Sequence, residues 1–356
     1  MQTIFITGAS GYIGGDILSA LIAKHPENTY RLLVRSQQSQ QQISVLYPSA
    51  IIVPGGLDDT ELIRHESSNA DVIIHHLGAA QAIAKGAVEG HTPDRPAFWL
   101  HTSGAGIFSS FDDEDNTYGQ RSEAIWDDLK HIRKITSLPD HAMHRTVDKT
   151  VLDAASSSPD SLKVAIISPT TVYGILYPHT KRYRPVLTFL TGKGRGPCSQ
   201  RSRQIYEMAN FILAQNKIPK IGNGEAIGSN IHVYSLTALF IQLFEAALER
   251  QDESLWGTDA YYLVEQDEHC WGAVADSIGK IAFEKGFLPS TPTGIFLDKA
   301  AAFELAGFEA TSWGNNMRCR ASRARSLLRW QPIGKSLDEE LSEIVGVEYY
   351  RLKEGL

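Results

Sequence analysis

Nine residues near the start, TGASGYIGG (7–15), limit the possible fold more than any other part of the chain. They follow the apolar run Ile4-Phe5-Ile6, and residues 16–22 after them repeat apolar side chains at helical spacing. Glycines therefore fall where a strand must turn straight into a helix. Among Gly8, Gly11 and Gly14, one permits the tight turn, one lets a ligand approach the backbone, and one lets helix and strand pack closely. The helix start adds free N–H groups and the positive end of the helix dipole. Together they make a cradle for a dinucleotide pyrophosphate, with Gly8, Ser10, Gly11, Tyr12, Ile13 and Gly14 as candidate contacts.

Further strand-like runs alternate with helical segments at residues 30–34, 50–53, 71–77, 98–103 and 163–167. That alternation predicts an α/β chain with a Rossmann-type, doubly wound parallel sheet. Residues 1–174 would form the dinucleotide-binding domain, and 175–356 mainly a smaller C-terminal substrate lobe, with Tyr261-Tyr262-Leu263-Val264 returning to the sheet as a late strand. Helices are expected at about 271–285 and on both sides of Pro332, and the acidic run Asp112-Asp113-Glu114-Asp115 reads as an exposed loop.

A formal net charge of −7 argues against nucleic acid as a partner. Cys198, Cys270 and Cys319 share no CxxC spacing, so neither a disulfide framework nor a metal site is expected. No apolar run reaches bilayer-crossing length and nothing resembles a signal peptide, which predicts a cytoplasmic protein with no membrane partner.

Several segments carry a family resemblance. These are TGASGYIG, then His101-Thr102-Ser103-Gly104 after the fifth strand, and Pro169-Thr170-Thr171-Val172-Tyr173-Gly174 after the sixth. Asn230-Ile231-His232-Val233-Tyr234-Ser235-Leu236 and the terminal Arg323-Ala324-Arg325…Leu327-Leu328-Arg329-Trp330-Gln331-Pro332 extend it across nearly the whole chain. The sequence resembles the extended short-chain dehydrogenase/reductases, a group of nucleotide-sugar epimerases, dehydratases and dihydroflavonol-type reductases. The resemblance implies a nicotinamide cofactor and a homodimer. It places Leu57 on the adenine, Leu77 and Ala79 along the ribose and nicotinamide path, and Pro169 beside the nicotinamide.

Where NAD-binding sheets carry an acid after the second strand, this chain has Val34-Arg35-Ser36. An arginine there suits a 2′-phosphate, so NADP is expected in preference to NAD. The family's catalytic set is a Ser or Thr, then Tyr and Lys four residues apart on one helix. Ser103 fits the first role, but no Tyr-x-x-x-Lys follows it. Over 139–153, with Asp140 as N-cap, two registers compete for the vacant places: Arg145 with Lys149, or His144 with Asp148. A buried stripe of Met143, Val147, Val151 and Ala154 favours the second and turns Arg145 and Lys149 to water. His144 would then be the proton donor and Asp148 would orient the ribose.

The stretch LYPHTKRYRPVLTFLTGK (176–193) interrupts the resemblance. It reads as a substrate-lobe loop with Lys181, Arg182 and Arg184 on an anionic ligand, as a loop without that role, or as sequence left by an unspliced intron. The expected activity is an NADP-preferring oxidoreduction on a carbonyl/alcohol pair of a small molecule. The alternatives are a nucleotide-sugar epimerase or dehydratase gripping a diphosphate with Arg195, Arg201, Arg203 and Arg318, or a non-catalytic NADP sensor.

Overall fold

The computed structural model describes residues 1–76, 78–174, 196–250 and 252–355. Leu77, Arg195 and the stretch 176–193 lie outside the described residues.

The strands in chain order are β1 (Thr3–Thr7), β2 (Thr29–Val34), β3 (Ile51–Pro54), β4 (Val72–His76), β5 (Ala97–Thr102), β6 (Trp126–Asp127) and β7 (Leu162–Pro169). There follow β8 (Thr171–Tyr173), β9 (Lys217–Ile221), β10 (Ile227–His232), β11 (Tyr261–Val264), β12 (Asp267–Cys270), β13 (Thr293–Leu297) and β14 (Cys319–Arg320). The first helices are α1 (Tyr12–Lys24), α2 (Gln37–Leu46), α3 (Thr60–Ser68), α4 (Ala80–Gly90), α5 (Ser110–Glu114), α6 (Ile132–Thr136) and α7 (Arg145–Ser157). The later ones are α8 (Gln204–Gln215), α9 (Val233–Leu248), α10 (Trp271–Glu284), α11 (Lys299–Ala306), α12 (Phe308–Thr311), α13 (Ser322–Leu328) and α14 (Leu337–Lys353).

Seven strands form one parallel sheet in the order β11-β7-β5-β4-β1-β2-β3, the doubly wound arrangement read from the alternation. Both faces are covered, which is why β1, β4 and β7 are buried almost throughout and carry the apolar runs Ile4-Phe5-Ile6, Val72-Ile73-Ile74 and Val164-Ala165-Ile166-Ile167. Successive residues serve opposite faces. Ile4 and Ile6 join Leu18 and Leu21 of α1 with Leu239, Phe240 and Phe244 of α9. Phe5 joins Ile63 of α3, Ile83 of α4 and Val151 of α7 on the other face. Each such side chain contributes about 1.5–3 kcal/mol by leaving water. The later half of the chain thus supplies both a helix, α9, and a strand, β11, to the first sheet.

The rest of that half builds the second lobe around Tyr173, Met208, Trp271, Trp313 and Leu341, with the strand group β12-β10-β8 and the pair β13-β9. The terminal segment is hooked to α9, because Ser235 Oγ accepts from the Ile333 and Gly334 amides, both at 3.0 Å.

The acidic run is not the exposed loop its charge suggests. It forms α5, and Asp112 is buried. Its carboxylate accepts from the Asn316 amide, Asn316 Nδ2 and Thr117 Oγ1, each at 2.7 Å, so three donors replace water and join the lobes. Among the described residues no helix is long and apolar enough to cross a membrane, and no group of three or more His, Cys, Asp or Glu could hold a metal ion.

Candidate functional site

A cleft of about 610 Å³ opens where the order reverses between β1 and β4, at the carboxyl ends of the strands, the usual ligand position in such sheets. One wall is the glycine turn. Gly8 has φ +76°, and the Gly11 amide donates to its carbonyl at 2.9 Å. A Cβ on Gly14 would stand 2.3 Å from that same oxygen, so helix and strand meet only because the side chain is missing. Gly11, at the N-cap of α1, offers no side chain to cap the first-turn amides, leaving donors for a phosphate. This cradle fits a dinucleotide, with Gly8, Gly11, Tyr12, Ile13 and Gly14 on the cleft wall. Tyr12 Oη anchors the turn to the other lobe by donating to the Gly174 carbonyl at 2.7 Å. Ser10 accepts the Ser199 amide at 3.0 Å through its carbonyl.

Arg35 follows β2, exposed and in no ion pair with the described residues, beside Ser36, the N-cap of α2. Leu57 follows β3, is 40% exposed, and leans toward Gly78. Ala79, in the left-handed region at φ 57°, starts α4, and Pro169 ends β7 on the cleft wall.

The catalytic candidates converge differently from the way their helical spacing suggests. Residues 139–143 are not helical. His144 adopts φ 66° at the N-cap, which a helix interior excludes, so α7 starts only at Arg145. Asp140 instead holds Lys149 Nζ at 3.1 Å. Met143 is not part of a buried stripe but lies at the cleft, half exposed. Arg145 does not point to water: it is buried, and its Nε donates to the Leu138 carbonyl at 2.8 Å.

Ser103 and His144 both line the cleft, with the His144 ring lying against Gly104. Burial lowers the His144 pKa, partly offset by the Asp148 charge, so the ring is neutral near pH 7. Asp148 is fully buried and absent from the cleft wall. Its Oδ2 accepts from Ser103 Oγ at 2.7 Å and from Tyr261 Oη at 2.9 Å. That inward orientation removes the expected contact with ribose hydroxyls and makes Asp148 a support for Ser103.

Sequence reasoning missed Tyr261, His101 and His76. Tyr261 reaches Asp148 from β11, and burial with the Asp148 charge pushes its pKa well up, so it stays a neutral donor. His76 lies beneath Gly8 and Gly14, and burial lowers its pKa to about 3. The pair His75-His76 was a legible signal, since neighbours on a strand face opposite sides. Nothing in the sequence pointed to Tyr261.

Of the arginines read as a diphosphate grip, the three among the described residues are occupied. Arg201 is held by Glu348 at 2.7 and 2.8 Å and by Glu207 at 2.5 Å. Arg203 pairs with Glu309 at 2.8 Å, and Arg318 pairs with Glu123 and Glu268. Tyr118 and Tyr173 donate to the carbonyls of Thr311 and Lys335.

No protein-family model matches the chain. The chain is 30% identical over 363 aligned positions to the oxidase ucsJ of an Acremonium species, covering 99% of both proteins. The chain belongs to the same family as this oxidase, and its fold is that of the extended short-chain dehydrogenase/reductases. Within this family's fold it is similar to the dTDP-glucose 4,6-dehydratase of Bacillus anthracis, solved with NAD, at TM-score 0.64 and 13% identity over 100% of this chain and 98% of that one. The UDP-glucuronic acid 4-epimerase of Bacillus cereus, solved with NAD, gives TM-score 0.63 and 15% identity over 99% and 100%. A shorter match, 35% identical over 80 residues, joins 22% of the chain to 23% of a farnesyl-dihydroquinoline-oxide ketoreductase of Stigmatella aurantiaca.

Proposed function

We propose that this protein is an NADP-preferring oxidoreductase acting on the carbonyl/alcohol pair of a small organic molecule without a diphosphate. The observation that carries the reading is a single cleft with the glycine cradle on one wall and Ser103 and His144 on another. A bound nicotinamide supplies the hydride acceptor or donor. Ser103 holds the substrate oxygen, and neutral His144 offers it a ring N–H. Arg35 and the N-terminus of α2 take the 2′-phosphate of NADP. The oxidase and ketoreductase relatives support this class of chemistry.

The substrate half of the cleft favours an uncharged molecule. Tyr12, Met143, Val172, Phe308 and Met317 contribute apolar surface, whereas Arg201 and Arg203 are already neutralised by carboxylates. A nucleotide sugar drawing Arg201 away from the buried Glu348 would leave that carboxylate unpaired, at a cost of about 3–5 kcal/mol. The test is a fluorescence titration with NADPH and NADH, followed by turnover of ketones, secondary alcohols and UDP-glucose. Tighter NADPH binding with turnover of a ketone or alcohol is expected. Binding without any turnover supports a sensor, and turnover of UDP-glucose alone supports an epimerase.

A further inference from the structure

Behind the cleft wall, side chains from β4, β5, α7 and β11 and from the turn after β5 gather around one carboxylate. Ser103 Oγ and Tyr261 Oη both donate to Asp148 Oδ2, at 2.7 and 2.9 Å. His101 Nε2 stands 3.3 Å from Asp148 Oδ1, without the alignment of a hydrogen bond. His101 Nδ1 meets His75 Nδ1 at 3.0 Å. Two ring nitrogens that close share one proton. If His75 donates, His101 accepts at Nδ1 and carries its own proton on Nε2, toward Asp148. Both hydroxyl protons then point at Asp148 Oδ2, with His101 beside Oδ1, and such donors replace water around a fully buried carboxylate.

The consequence falls on Ser103. Its single hydroxyl proton is committed inward to Asp148, and Tyr261 Oη stands 3.3 Å from Ser103 Oγ on the same inner side, which leaves a lone pair for the cleft that Ser103 lines. Toward a ligand Ser103 is an acceptor. A ketone oxygen brings only lone pairs and can pair with the His144 N–H alone, whereas an alcohol can also give its proton to Ser103.

We infer that Ser103 and Asp148 form a proton exit for an alcohol substrate, with Asp148 acting through Ser103 as a positioning residue and final acceptor. This rests on the oxidoreductase reading above and adds its direction, alcohol to carbonyl. As the carbinol C–H bond breaks, its electron pair leaves as hydride for the oxidised nicotinamide, which is reduced. The alcohol O–H proton passes to Ser103 Oγ while the Ser103 proton passes to Asp148 Oδ2. The carbon is oxidised to a carbonyl and Asp148 ends neutral. After the product leaves, the reverse path through Ser103 returns the proton to water in the cleft.

Two measurements test this, one without turnover. In the NADPH complex, saturation-transfer NMR with cyclohexanol and cyclohexanone should show about tenfold tighter binding of the alcohol, a preference lost in Ser103→Ala. Equal binding, or preference for the ketone, overturns the inference. For the second, cyclohexanol, 1-phenylethanol and 1-indanol are oxidised with NADP+ by wild type and by Asp148→Asn. The asparagine keeps the shape and can accept both hydroxyl hydrogen bonds, but it cannot take up a proton. It should lower kcat about 100-fold or more, leave KM and the NADPH Kd within about threefold, and reduce the solvent deuterium isotope effect. A urea midpoint of Asp148→Asn that matches wild type guards against reading a folding defect as chemistry. Unchanged kcat in Asp148→Asn overturns the proton exit alone. A wild type that oxidises none of the three alcohols with NADP+ overturns the alcohol-oxidising direction, whereas failure to bind NADPH overturns the oxidoreductase reading itself.

Discussion

At the cofactor end of the cleft the chain offers backbone, and at the catalytic end it offers side chains drawn from distant segments. The glycine turn is contiguous: Gly8, Gly11 and Gly14 shape it, and its ligands are amides. The catalytic cluster joins Ser103, Asp148 and Tyr261, the last two separated by 113 residues. A backbone site depends on the absence of atoms, so added atoms break it. A side-chain site depends on particular donors and acceptors, so it fails by losing them.

The largest effect should come from adding atoms. Gly14→Val puts Cβ about where the Gly8 carbonyl stands, 2.3 Å away, and should weaken NADPH binding at least ~100-fold in a fluorescence titration. Retained affinity would mean that the cofactor does not use the turn. Next, His144→Ala removes a side chain and leaves the cradle whole. Turnover of the best alcohol should fall roughly 10- to 100-fold while the NADPH Kd moves less than about twofold. Unchanged turnover would remove His144 from the chemistry.

His76 stands between the two regions, under the glycine turn. Its pKa is about 3 in the fold against an ordinary 6.5, so the unfolded chain binds the extra proton between those values. Stability is therefore lost as pH falls from 6.5 toward 3. Unfolding free energies from urea titrations at pH 7 and pH 5 should differ by about 2 kcal/mol less in His76→Phe than in wild type. An identical pH dependence would show that His76 is not held neutral by burial. The smallest effect is electrostatic and exposed: Arg35→Ala should weaken NADPH about tenfold and leave NADH unchanged. Equal loss for both would detach Arg35 from the 2′-phosphate.

The legibility of the sequence follows the same divide. The parallel sheet was readable because buried strands such as Ile4-Phe5-Ile6 and Val72-Ile73-Ile74 are continuous apolar runs, and the glycine turn because its spacing is local. The start of α7 was hidden, since nothing in Ala142-Met143-His144 announces a left-handed histidine. Burial of Arg145 and Asp112 was equally hidden. Each looks solvated by composition, yet the partners that permit burial, the Leu138 carbonyl and the Asn316 amide, are set by tertiary folding. Ser103 was found by its place after β5. Its support could not be, because Tyr261 reads in sequence as an ordinary apolar strand residue.

The position of β11 at the margin of the parallel sheet also bears on how the protein is made. Leu263 and Val264 pair with Ser168 and Pro169, and the helix covering one face of the sheet, α9, begins only at Val233. On a ribosome, the nucleotide-binding half is therefore synthesised long before the pieces that complete it. Until residue 264 emerges, β7 is an unpaired apolar edge and Asp148 lacks its tyrosine. Such high contact order predicts slow final folding and a nascent chain that needs chaperone cover. A chain stopped before β11 would carry the glycine turn but lack the tyrosine hydroxyl that donates to Asp148.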